Sequence, residues 1–323
     1  MPFALAIKTH LDAVETRLSE RLLACEESGV RAINVAMVAS PGKRLRPILC
    51  LLSYFATART PRPDQIYNIA AALELIHMAS LVHDDIIDHA PLRHDRPSVQ
   101  AQWGPETATA YGVYLYAESL AFIAESDNRD VLRAISETVR YMCLGEMRQV
   151  FDRGNWDLDT DSYLRILEQK TGVLFSAACR SGAIMADASD NQIAALGEFG
   201  RKLGVVFQLT DDYLDVLNDG QILGKDGAQD FKMGEPTMPV ILLLQRVPPA
   251  EKADLIRLLS APSQPNYQAL LSRVRASQAL AETLAIIHRT LDEAVTALSV
   301  LPDSGYKKGF LKVVDAILER VKP

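Results

Sequence analysis

Residues 67–85 read YNIAAALELIHMASLVHDD. Apolar side chains recur at three-and-four spacing, the period of an α-helix. The ALELIHMASLV portion is apolar nearly all round, so this helix belongs in the middle of a bundle and not on its surface. GVLFSAACRSGAIMA, from Gly172, has the same character. Outward from these two, helical periodicity continues through LDAVETRLSERLLACEE, DVLRAISETVRYMCLGEMRQVF, NQIAALGEFGRKLGVVFQLTDDYLDVL, TMPVILLLQRV, ALAETLAIIHRTLDEAVTAL and GFLKVVDAILERV. Short breaks separate them: SPGK at Ser40, TPRPD at Thr60, ESDN at Glu125, DRGNWD at Asp152, DASDN at Asp187 and SAPSQPN at Ser260. Neither alternating strands nor Asn-Gly hairpins are expected, and no break is long enough for a linker. The reading is one all-α, single-domain helical bundle over residues 1–323.

Composition narrows the function. Of 323 residues, 48% are hydrophobic and 23% charged, with a net charge of −7. That is a globular protein with a large core and a poor nucleic-acid binder. An anionic substrate would need local basic clusters or metal ions. Cys25, Cys50, Cys143 and Cys179 lack zinc-ligand or CxxC spacing and read as small buried hydrophobes of a reducing compartment. Lys8, His10 and Asp12 interrupt the apolar start too early for a signal peptide. No apolar run is expected to span a membrane. The cytoplasm is the expected compartment.

The long apolar helix runs into SLVHDDIIDH, and QLTDDYLD from Gln208 repeats the pattern. Positions i and i+4 share a helix face. Asp84 and Asp88 therefore point together, as do Asp211 and Asp215, while Asp85 and Asp212 turn away by about a quarter circle. Paired carboxylates repel and are costly to bury without a cation. Hard oxygen donors without thiolates favour Mg²⁺, which is bound by a few carboxylates together with substrate phosphates. One DDxxD would be weak evidence, since an exposed acidic helix end explains it as well. Two copies, each ending an apolar helix, point to a metal cage for a diphosphate if the helices face each other.

GKRLRP places Lys43, Arg44 and Arg46 just after a turn and is not a Walker A loop. Cations at a helix start oppose the macrodipole, which hints at a bound anion. Arg93, Arg96, Lys170 and Lys225 are further basic candidates. The glycine-rich stretch 219–236, directly after the second cluster, reads as a lid by its position and as an ordinary long loop by its composition.

Together GKRLRP, HMASLVHDDIID, GEMRQ, QKTGVLFSAACRSGA, FQLTDDYLD and LGKDGAQD resemble the trans-isoprenyl diphosphate synthases, the polyprenyl synthetase family. The likeness extends over nearly the whole chain, to LPDSGYKKGFLKVVDAILERV. It implies an isoprenoid-synthase bundle around a central cavity, normally a homodimer. It implies that Asp84, Asp88 and Asp211 hold Mg²⁺, about three ions per site with diphosphate bound, assisted by Asp85, Asp212 and Asp215. Arg93, Lys170, Gln208 and Lys225 would bind the allylic diphosphate, and Thr171 would line the reacting centre. Lys43, Arg46, His77 and the residue at His94 would serve isopentenyl diphosphate.

In the family a bulky aromatic five residues before the first aspartate blocks the product tunnel of short-chain enzymes. Here that residue is Ala79, beside Ser80 and a turn above Ile76, so a long product is expected, such as a quinone side-chain precursor. Five positions depart from the family pattern: His94, Asp95, Gln100, Val113 and Glu235. They are expected to cluster around diphosphate-binding regions and to affect the isopentenyl diphosphate site most. Three alternatives remain: a shorter product, of farnesyl or geranylgeranyl length; a weakly active partner subunit; and a class I terpene cyclase, which DDYLD in the second motif disfavours.

Overall fold

The computed structural model describes residues 3–40, 42–93, 96–217 and 229–321. His94, Asp95 and Lys225, and most of the expected lid, lie outside them. Among the described residues the chain forms sixteen α-helices. In order they are α1 (Phe3–Leu23), α2 (Ser28–Val38), α3 (Leu45–Thr57), α4 (Pro63–Ile87), α5 (Val99–Trp103), α6 (Pro105–Glu125), α7 (Arg129–Phe151) and α8 (Thr160–Leu167). There follow α9 (Val173–Met185), α10 (Asp190–Leu217), α11 (Gln229–Met233), α12 (Met238–Arg246), α13 (Pro249–Leu259), α14 (Gln264–Ala276), α15 (Ala279–Ala297) and α16 (Gly305–Leu318). A π-helical turn, Glu168–Gly172, joins α8 to α9. One small hairpin, Leu92–Arg93 antiparallel to Arg96–Pro97, departs from the all-helical expectation. Two residues per strand are too few for an alternating pattern to register. Residues 229–233 were expected to be loop and are helix α11.

The chain packs as two compact units. The first comprises Met1–Val139, Leu174–Gly197 and Leu298–Phe310; the second comprises Arg140–Val173, Glu198–Ala297 and Leu311–Pro323.

In the first unit α4 is the central rod, packed on α6, α3 and α1. Pro63 starts it without an N–H to leave unpaired, and Asp64 sits in the first turn, where negative charge suits the dipole. Thirteen of its side chains are buried, because apolar residues cover its whole circumference and every face must be removed from water. α4 is in fact long and apolar enough to cross a membrane, contrary to the expectation, yet 72% of its most apolar window is buried in the protein. It is a core helix. It stops where His89 adopts a left-handed φ of 53° and Ala90 N–H donates to Asp85 O at 2.9 Å, which leaves the aspartates at its end. α9 packs against α3 at Gly182, where any Cβ would fall 2.2 Å from Cys50 O. Only glycine fits so close an approach.

In the second unit the apolar strip Met238–Leu244 of α12 is fully buried and packs on α15, α8 and α14. The same unit carries the second half of α10, with the second aspartate cluster near its C-terminal end.

Candidate active site

Each aspartate cluster is built alike. At the end of α4, Asp85 is 3% exposed, while Asp84 and Asp88 are half-buried. Arg93 turns back from the hairpin and donates to Asp85 Oδ1 from Nε at 2.9 Å and Nη2 at 2.5 Å. Gln100 Nε2 donates to the carbonyls of Asp85 and Ala90 and pins the helix end to α5. The middle aspartate is thus an anchor. Its neighbours at i−1 and i+3 keep access to solvent on the face that the spacing predicted.

On α10, Asp212 is 2% exposed and Asp211 and Asp215 are half-buried. Tyr163 Oη donates to Asp212 Oδ2 at 2.6 Å, and Met238 N–H donates to the same oxygen at 3.2 Å. Burial pushes the Asp212 carboxyl up to about 6; these two hydrogen bonds and Gln208 oppose the rise, and the Asp211 charge adds to it. Asp211 pairs with Arg320 Nη2 at 2.6 Å. Burial raises the nearby Asp230 carboxyl well above the usual range, with Glu235, Asp212 and Asp215 adding repulsion.

Lys170 and Thr171 occupy the π-helical turn, an irregularity common at functional sites. Lys170 Nζ pairs with Glu146 at 2.7 Å. Gly145 lets α7 come close beneath them: a Cβ there would lie 2.6 Å from Lys170 N.

The basic motif divides its labour. Arg44 has left-handed backbone, φ 50°, just before α3, and reaches Glu15 at 3.1 Å and Glu74 at 3.0 Å. It is a structural residue. Lys43 is exposed. The Arg46 guanidinium lies over the Phe175 ring at 4.6 Å, and its buried Nε has no partner. Burial lowers its pKa to about 10, opposed by the charges of Glu74 and Asp84. An arginine held against an aromatic face with a spare donor suits a phosphate oxygen. His77 is half-buried on α4, where Ser80 Oγ donates to its carbonyl at 2.8 Å. Ala79 is fully buried and Ile76 is 1% exposed.

Within each cluster the half-buried carboxylates, Asp84 with Asp88 and Asp211 with Asp215, are oxygen donors of the kind that suits a hard divalent cation keeping water and phosphate ligands. Among the described residues no three His, Cys, Asp or Glu side chains form a ready-made metal cluster.

Three of the departures have structural accounts. Gln100 fastens the end of α4. Val113 is 58% exposed on α6. Glu235 is buried against Arg153 and Gln149. Tyr163, Arg320, Arg153 and Phe175 escaped the sequence reading. Each acts on a partner 49 or more residues away, and no local spacing signals such a pairing.

Comparison with known proteins points to one family, with long-chain and short-chain synthases among the matches. The polyprenyl synthetase family model matches residues 28–274. Component 2 of the heptaprenyl diphosphate synthase of Geobacillus stearothermophilus is 35% identical over 306 residues, covering 90% of this chain and 93% of that one. A decaprenyl diphosphate synthase from Rhodobacter capsulatus superposes with a TM-score of 0.93 at 28% identity, covering 99% of both chains. A polyprenyl synthase from Caulobacter crescentus CB15, complexed with calcium and isoprenyl diphosphate, does so with a TM-score of 0.91 at 27% identity, covering 99% of this chain and 98% of that one.

Proposed function

The chain belongs to the polyprenyl synthetase family and is a trans-prenyltransferase; we propose that it condenses an allylic diphosphate with isopentenyl diphosphate to make a long-chain trans polyprenyl diphosphate, a quinone side-chain precursor. The supporting observation is the shared design of the two aspartate clusters, a buried middle carboxylate with flanking carboxylates presented. The family match across residues 28–274 favours reading the chain as one catalytic domain.

In this reading Asp84, Asp88 and Asp211 hold the metal, with about three Mg²⁺ per site. Bound Mg²⁺ supplies charge neutralisation for the departing diphosphate. Arg93, Lys170, Gln208 and Lys225 grip that diphosphate, and Thr171 lines the reacting centre. Lys43, Arg46 and His77 orient isopentenyl diphosphate so that its alkene meets the allylic carbon. Cationic side chains stabilise the leaving charge, and the apolar wall of α4 keeps water from the carbocation. The proton lost from the adduct passes to the released diphosphate. The product grows along Ala79, Ser80 and Ile76.

The protein acts in the cytoplasm as a homodimer. Supporting the dimer, α6 exposes Val113 and Leu120, and α7 exposes Tyr141, Leu144, Met147 and Phe151. A second reading, a subunit that needs a partner, draws support from the relative named component 2. Incubating the purified chain with Mg²⁺, farnesyl diphosphate and labelled isopentenyl diphosphate tests both. Long products carry the proposal. Products that stop at geranylgeranyl length overturn the long-chain reading. No elongation of any allylic substrate overturns the catalytic reading and leaves the partner-dependent one.

A further inference from the structure

Glu235 is a carboxylate, 6% exposed, to which the functional reading gives no role. Arg153 grips its Oε1 with Nε at 2.7 Å and Nη2 at 2.6 Å, and Gln149 Nε2 donates to Oε2. The backbone doubles the link, because Gly154 N–H donates to Gly234 O at 2.7 Å. Both glycines have positive φ, 75° and 69°, which lets the two strands of chain lie face to face. The end of α7 and the turn after α11 thus form one joint. Glu235 N–H also donates to Asp230 O at 2.8 Å and closes that turn.

The joint leads directly to the second aspartate cluster. Only Pro236 and Thr237 separate Glu235 from Met238, the first residue of α12, whose N–H donates to Asp212 Oδ2. Proline at 236 and again at 239 leaves this bridge little backbone freedom. A shift at Glu235 therefore reaches Asp212, and Asp212 carries Asp211 and Asp215 on either side. The charge balance agrees with this arrangement. Glu235, Asp212 and Asp215 lie close enough to Asp230 to add to the rise that burial gives its carboxyl. The Arg153 guanidinium offsets the carboxylate that stands at 235 in place of the family's usual lysine.

We propose that Arg153 and Glu235 are positioning residues for the second aspartate cluster: their ion pair seats the start of α12 so that Met238 N–H and the Tyr163 hydroxyl together fix Asp212. Asp211 and Asp215 then present their oxygens to metal and diphosphate in a set geometry. The inference rests on the functional reading above and deepens it at one site.

The test compares wild type with Glu235→Gln, Arg153→Lys and the reversed pair Arg153→Glu with Glu235→Arg. The first readout needs no turnover: the rise in melting temperature with Mg²⁺ and inorganic diphosphate. The second is the steady-state elongation rate. Glu235→Gln is expected to raise both the Mg²⁺ half-saturation and the KM for the allylic diphosphate by about tenfold, roughly 1.4 kcal/mol. The KM for isopentenyl diphosphate should stay within about twofold. Arg153→Lys keeps the charge without the two-pronged grip and should fall between wild type and Glu235→Gln. The reversed pair should recover part of the loss. Wild-type-like Mg²⁺ and allylic diphosphate response in Glu235→Gln overturns the proposal. So does a variant in which melting temperature and kcat fall while both KM values rise alike, since that marks a merely structural role. A wild type that gains no stability from Mg²⁺ and diphosphate overturns the functional reading itself, and this inference with it. A responsive wild type beside an equally responsive Glu235→Gln sinks the inference alone.

Discussion

The hydroxyl of Tyr163, on α8, donates at 2.6 Å to Asp212, on α10, and both side chains are buried. The bond holds a carboxylate where burial disfavours its charge, so Asp212 titrates at about 6 against an ordinary 3.8. Between those values the folded chain keeps a proton that the unfolded chain has released. Stability contributed by this group is therefore present at low pH and falls as pH rises through the window. Asp212→Asn keeps an acceptor for Tyr163 and Met238 but cannot titrate. Urea unfolding from about pH 4 to about pH 6.5 should show wild type losing about 2–3 kcal/mol relative to the variant. Parallel pH profiles would refute this.

Arg93 and Asp85 form the corresponding anchor in the first cluster. Removing the arginine leaves a 3%-exposed carboxylate without its cation. Removing the carboxylate frees a guanidinium that is 37% exposed and can turn to water. Arg93→Met should therefore cost more than Asp85→Asn, by about 1–3 kcal/mol, and the double variant less than the sum of the two. Chemical denaturation of the four proteins checks it, and simple additivity would count against the pair.

Ala79 is fully buried on α4, five residues before Asp84. Ala79→Tyr should shorten the longest product, at a stability cost of about 1–3 kcal/mol for the added volume. Product chromatography on a variant shown to be folded by circular dichroism reads the outcome. An unchanged product length places the tunnel floor at another residue.

Met147 and Phe151 stand one turn apart on α7, 51% and 76% exposed. Large apolar side chains in such a row mark a covered face more often than a wetted one. Met147→Glu combined with Phe151→Glu should convert a dimer to a monomer in light scattering. Dimers that persist through the double substitution exclude this face from the interface.

Much of this protein is legible in one dimension because much of its physics is local. Helical period alone places α4 and α9 in a core, and i,i+4 spacing alone separates Asp84 and Asp88 from Asp85. Local pattern fails where two residues have similar chemistry but different partners. GKRLRP offers three cations of equal standing. Glu15 and Glu74 claim Arg44 for the fold, while Phe175 supports Arg46 with a donor left over. The departures Gln100 and Glu235 looked like losses for the same reason. Their partners, the carbonyl of Asp85 and the side chain of Arg153, are brought to them by packing.

The sequence by itself determined the all-α class, the helix that carries the first cluster and the residue types of the chemistry. Those follow from periodicity and from the oxygen donors that a divalent cation needs. Only the tertiary structure decided which carboxylates are anchors and which are presented. Burial and hydrogen-bond partners set that choice. Tyr163 meets Asp212 across 49 residues of chain, and Arg320 meets Asp211 across 109. Contacts of that range are specified by how whole helices pack, which no short stretch of sequence encodes.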